Sequence, residues 1–269
     1  MRKIMVLALA LAVGGVLGAC SLLAGPEVGS CVEESGGGYD VVGCETAELK
    51  VLDIVDGGSD EGCIAVAGVS ATYSGGGSDG TLCLGPVDVD PATAVNVAAK
   101  GDCLTGTTGD VAEVRTIGCD RPKAEAVVLK VVKDASDLGG DPTGIGGACA
   151  KVPGTTSSYT WSLDLTGDSV TAGLDTWSSD LTFCLGVVGV DPKAAPELAV
   201  KGDCLRELPE NQGYAIVGCG AKEAAYRVTK KADSSIGGAE LACQDAPGTT
   251  SAIEGGDTLT GWILCVAGV

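Results

Sequence analysis

The residues with the most chemistry in their side chains are cysteines: the 269-residue chain carries 13 of them and no histidine. The first closes Leu17-Gly18-Ala19-Cys20, which has the form of a lipobox: a branched apolar residue, two small residues that let a peptidase reach the bond, and a thiol that takes a diacylglyceryl group. Ahead of it, Arg2 and Lys3 precede an apolar run from Ile4 to Leu17 broken only by Gly14 and Gly15, the charged and hydrophobic regions of an export signal. That run is shorter than the roughly 20 residues a helix needs to cross a hydrocarbon core. Residues 1–19 are therefore expected to be a cleaved lipoprotein signal peptide, with Cys20 as the lipidation site and 20–28 as a lipidated tether. Each buried acyl methylene contributes about 0.8 kcal/mol, so two or more chains hold a protein to a membrane. Ser21 to Ser30 is ten residues, which places the next cysteine within roughly 35 Å of the bilayer.

The other twelve cysteines are an even number in a chain expected to be exported, the setting in which cysteines read as a disulfide framework. No CxxC pair exists to grip zinc; the nearest neighbours are Cys31 and Cys44. They fall into three sets of four with recurring surroundings, the mark of a threefold internal repeat. The first of each set lies in Gly29-Ser30-Cys31, Gly101-Asp102-Cys103 and Gly202-Asp203-Cys204, and the second in Val42-Gly43-Cys44, Ile117-Gly118-Cys119 and Val217-Gly218-Cys219. After the third, Cys149 and Cys243, come Pro153-Gly154-Thr155-Thr156 and Pro247-Gly248-Thr249-Thr250; after Cys63 comes Ala67-Gly68-Val69-Ser70. The fourth closes an apolar run in Leu82-Cys83-Leu84, Phe183-Cys184-Leu185 and Leu264-Cys265-Val266. Four cysteines admit three pairings. Cysteines facing each other across a hairpin lie symmetrically about its turn, and glycine-rich or polar turn residues fall near the midpoints of first-to-second and third-to-fourth pairs, which favours that scheme.

The elements that must carry this framework read as strands. Runs with one basic residue before a valine recur as Lys50-Val51, Lys130-Val131 and Arg227-Val228, and Tyr159, Trp161, Leu163 and Leu165 alternate with polar residues. A short helix after Asp90-Pro91 is the best helical candidate. The expectation is a mainly β chain of three tandem small disulfide-stapled β-rich domains, with short helices, over 29–99, 100–200 and 201–269. Domains of this size gain from covalent staples, about 2 to 4 kcal/mol each. Cys83 to Cys103 and Cys184 to Cys204 have equal lengths, with Asp90-Pro91 and Asp191-Pro192 at the same offset, which predicts a connector packed against both neighbours.

Charge and composition narrow the function. The net charge is −19, and loss of Arg2 and Lys3 with the signal takes the mature chain to about −21. Such a surface repels phosphate backbones, so nucleic acid is not an expected partner and membrane affinity falls to the lipid. The absence of histidine removes the commonest general base and metal ligand. No serine is followed three residues later by lysine, and one Phe, three Trp and five Tyr offer little aromatic platform for sugars. No catalytic residue, metal site or cofactor is expected. Asp88 and Asp90, and the stretch from Asp53 to Glu61, hold hard oxygen ligands, yet neither follows the EF-hand order. The wealth of Ala, Gly, Val and Asp fits a high-GC genome.

The repeated pattern of GDC, (V/I)GC, a basic Ala- and Val-rich run, then PGTT and (L/F)C(L/V) resembles actinobacterial LppU-type lipoproteins and the related septum-formation domain. The resemblance covers each repeat. It implies a cell-envelope location and a non-enzymatic role. Septum-formation domains often carry Pro-His after the second cysteine; here Cys119-Asp120-Arg121-Pro122-Lys123 stands there, so nothing resting on that histidine carries over. The expected function is a non-catalytic interaction or scaffold lipoprotein on the extracytoplasmic face of the cell membrane, with an envelope protein as partner. The alternative is a binding lipoprotein for a small ligand or a cation such as calcium at acidic inter-repeat loops.

Overall fold

The computed structural model describes residues 25–36, 38–56, 61–74, 80–107, 114–133, 147–165, 181–233, 238–256 and 261–269. The chain is mainly β and consists of three repeated domains with one topology. Repeat one holds β1 (Cys31–Ser35), β2 (Gly38–Val42), β3 (Leu49–Asp56), α1 (Glu61–Ile64), β4 (Ala71–Tyr73) and β5 (Gly80–Pro86). Repeat two holds β6 (Cys103–Thr105), β7 (Arg115–Ile117), β8 (Ala126–Lys133), β9 (Ser157–Trp161), β10 (Asp164–Leu165) and β11 (Leu181–Gly186). Repeat three holds β12 (Cys204–Glu207), β13 (Tyr214–Val217), β14 (Tyr226–Asp233), α2 (Gly238–Cys243), β15 (Ser251–Gly255) and β16 (Trp262–Gly268). The sheets run β2-β1-β3-β5-β4, β7-β6-β8-β11-β9 and β13-β12-β14-β16-β15, antiparallel throughout, and β10 of repeat two adds in parallel to β4 of repeat one.

The recurring motifs are backbone devices. In each G-x-C, the glycine takes φ of 92° to 101° (Gly29, Gly101, Gly202), which a Cβ would disfavour. That turn lets its N–H bond Val51, Val128 or Val228 O, and the next residue's carbonyl accept from the same valine's N–H, all at 2.8 Å. The middle residue closes the turn: Ser30 Oγ accepts from Glu27 N–H, Asp102 from Ala99 N–H and Asp203 from Val200 N–H. Gly85, after the fourth cysteine of repeat one, has no room for a Cβ, which would lie 2.4 Å from Gly68 O.

Each sheet packs an apolar core on one face, and its interior strand β5, β11 or β16 is buried on both. Val32, Val51, Leu82 and Leu84 form the first core, Leu104, Val128, Phe183 and Leu185 the second, and Leu205, Val228, Leu264 and Val266 the third, at corresponding positions. Two expectations need correction. Cys31 pairs with Lys50, Cys103 with Val127 and Cys204 with Arg227, so Lys130-Val131 is not the counterpart of Lys50-Val51 but lies three residues beyond it. Lys130 instead faces Cys184 as Lys230 faces Cys265 and Asp53 faces Cys83. The alternation from Tyr159 to Leu165 also breaks: β9 ends at Trp161, and buried Leu163 leaves its own sheet to pack with Cys63, Val69 and Cys83 of repeat one.

The Asp90-Pro91 and Asp191-Pro192 connectors are pairs of 3-10 turns, Pro91–Thr93 with Val95–Val97 and Pro192–Ala194 with Pro196–Leu198. The aspartates accept from Ala92 and Lys193 N–H, capping the first turn of each. Val95 and Ala98 enter the core of repeat two, and Ala199 that of repeat three.

Candidate functional site

Cys20 and the expected signal segment, residues 1–19, lie outside the described residues. The other twelve cysteines join as Cys31–Cys44, Cys63–Cys83, Cys103–Cys119, Cys149–Cys184, Cys204–Cys219 and Cys243–Cys265, with Cα separations of 5.0 to 5.5 Å. The geometry behind this pairing is not the simple hairpin symmetry expected from spacing. Cys44, Cys119 and Cys219 sit in turns beyond their strands, where Val42, Ile117 and Val217 occupy the paired positions. Cys63 and Cys243 lie on α1 and α2 and Cys149 in a turn, each reaching a cysteine within a strand. Cys83, Cys184 and Cys265 stand inside β5, β11 and β16 rather than at their ends.

Two clefts form where repeats meet. The one between repeats two and three, about 620 Å³, is walled by Leu129, Val190, Pro192, Tyr214, Ile253 and Trp262. Glu197 crosses that junction: its carboxylate accepts from Gly154 N–H of repeat two, and its backbone oxygen accepts from Lys231 of repeat three. At the corresponding position before repeat two stands Asn96. Its Nδ2 donates to Ile64 O (2.9 Å) and Val66 O (2.8 Å), and its Oδ1 accepts from Gly68 N–H (3.0 Å). Asn96 is one of two asparagines in the chain, and in the sequence only its place in a fixed-length connector marks it.

The cleft between repeats one and two is larger, about 1020 Å³. Its charged lining is Lys100, Lys130, Lys133 and Lys151 against Glu61, with Ile64, Val97, Val131, Val152 and Leu181 among its apolar residues. Among the described residues the junction's lining is therefore basic, in a chain whose acids outnumber its bases 36 to 17. The aspartates considered for calcium have local partners: Asp90 caps its turn and Asp53 Oδ1 accepts from Ile54 N–H. Among the described residues, no three His, Cys, Asp or Glu side chains converge.

Among the described residues, three groups have displaced pKa values. Asp245 is held below the ordinary carboxylate range by its hydrogen bond and ion pair with Lys230, 2.5 Å away. Burial raises Tyr159, and the carboxylate of Glu207, accepting from the hydroxyl, raises Tyr226. Each moves away from neutrality, the opposite of what general acid–base work at neutral pH needs. Among the described residues, no helix is long and apolar enough to cross a membrane. The chain matches no protein-family model, no curated protein and no solved structure.

Proposed function

We propose that this protein is a lipid-anchored, non-catalytic lipoprotein on the extracytoplasmic face of the bacterial cell membrane, whose tandem repeats engage another envelope protein. The observation that carries this reading is a parity. Twelve cysteines are bonded to one another, and the thirteenth, Cys20, stands after Leu17-Gly18-Ala19 behind a charged and then apolar amino terminus. Disulfides of this number fit an oxidising compartment outside the cytoplasm. Repetition of one domain supports an interaction role, because linked copies raise effective concentration at a partner's surface. Resemblance to LppU-type and septum-formation lipoproteins agrees with the location.

The test is fractionation of cells expressing the full chain and its Cys20→Ser variant. Wild type is expected in the membrane fraction with acyl mass on its first residue, and the variant is expected without acyl mass and no longer bound through lipid. Unchanged acylation and partitioning in the variant would refute the anchor. Crosslinking in the intact envelope tests the partner, with discrete adducts that depend on the repeats as the expected result.

A further inference from the structure

We infer that the cleft between repeats one and two binds a small amphiphilic anion, its acidic group held between Lys130 and Lys151. The inference starts from the repeat register. In repeat three, Lys230 lies opposite Cys265 and pairs at 2.5 Å with Asp245, two residues after Cys243. The same positions in repeat two are Lys130, opposite Cys184, and Lys151, two residues after Cys149. The two positions that hold an ion pair in one repeat thus carry two lysines in the other, with no carboxylate between them to balance their charge. Both line the cleft, with Lys100 from the connector and Lys133 from β8; among the described residues Glu61 is the one acid in the lining, and no ion pair involves these lysines.

An anion between Lys130 and Lys151 replaces the missing carboxylate and balances their charge. Charge-assisted hydrogen bonds from two ammonium groups suit a carboxylate or phosphate. The volume far exceeds a bare inorganic ion, and Val97, Val131 and Leu181 offer apolar walls, which points to a ligand with a hydrocarbon portion. This site is independent of the lipid anchor.

The test is calorimetric titration of the oxidised full chain with decanoate below its micelle concentration, beside inorganic phosphate and neutral decanol. Decanoate is expected to bind one to one, at least tenfold more tightly than either control. Lys151→Asp restores the arrangement of repeat three; it is expected to keep or raise the melting temperature while weakening decanoate at least tenfold. Lys222→Ala, on an exposed turn of repeat three, is expected to leave binding unchanged. Absence of decanoate binding, phosphate binding as tight as decanoate, or full affinity in Lys151→Asp would overturn the inference.

Discussion

Asn96 uses its whole amide to hold repeat one to the connector. A buried polar group deprived of its partner costs about 1 to 3 kcal/mol, and truncation at Asn96 strands two carbonyls and one N–H together. Asn96→Ala is expected to lower stability by about 2 to 4 kcal/mol after local rearrangement, read by urea unfolding of the oxidised chain. Asn96→Asp should be no better, since a buried carboxylate would face the oxygens of Ile64 and Val66. Glu197 shows why the matching position tolerates an acid: its carboxylate accepts from Gly154 N–H, and the Lys231 ammonium bonds its backbone oxygen. Sequence alone marks both positions only through connector length. The partners that give Asn96 its role come from the last residue of α1 and the turn after it, some thirty residues earlier, and no local pattern announces them.

At the scale of elements, the two classes of disulfide differ in burial. Cys31, Cys103 and Cys204 are buried, but their partners Cys44, Cys119 and Cys219 are exposed, whereas Cys63–Cys83 and Cys149–Cys184 are buried at both ends. Exchange needs a thiolate to reach a sulfur, so access sets the order. Mild reduction followed by alkylation and mass spectrometry is expected to open the three first-to-second bonds before Cys63–Cys83 and Cys149–Cys184. Opening of those two buried bonds first would contradict the burial. Cysteine parity and the repeated motifs made the threefold β architecture legible in advance, because each G-x-C marks a turn that feeds a strand. Register was less legible: lysines occur near valines at two places along these strands, and composition does not say which faces the paired cysteine. The basic cleft was illegible for a related reason. Its lysines come from a connector, a strand and a turn, and the acidic average of the chain points the other way.

In the whole molecule the two junctions are built differently. Repeats one and two share a cluster in which Leu163 packs with Cys63, Val69 and Cys83, with Trp161 and Ile64 against it, and β10 extends the sheet of repeat one. The connector adds Val95 and Ala98 to the core of repeat two. Repeats two and three meet around a cleft and across Glu197, and only Ala199 of that connector joins the third core. Domains that share a buried cluster unfold together, while those without one melt apart. Differential scanning calorimetry of the oxidised chain is therefore expected to show one transition for repeats one and two and a second for repeat three. Leu163→Ala removes a buried side chain from the shared cluster, at a cost of about 2 to 5 kcal/mol. Its effect should fall on the first transition, lowering and splitting it, and leave the second in place. A single transition for all three repeats, moved as a whole by Leu163→Ala, would mean that the contact at Glu197 couples as strongly as the shared core.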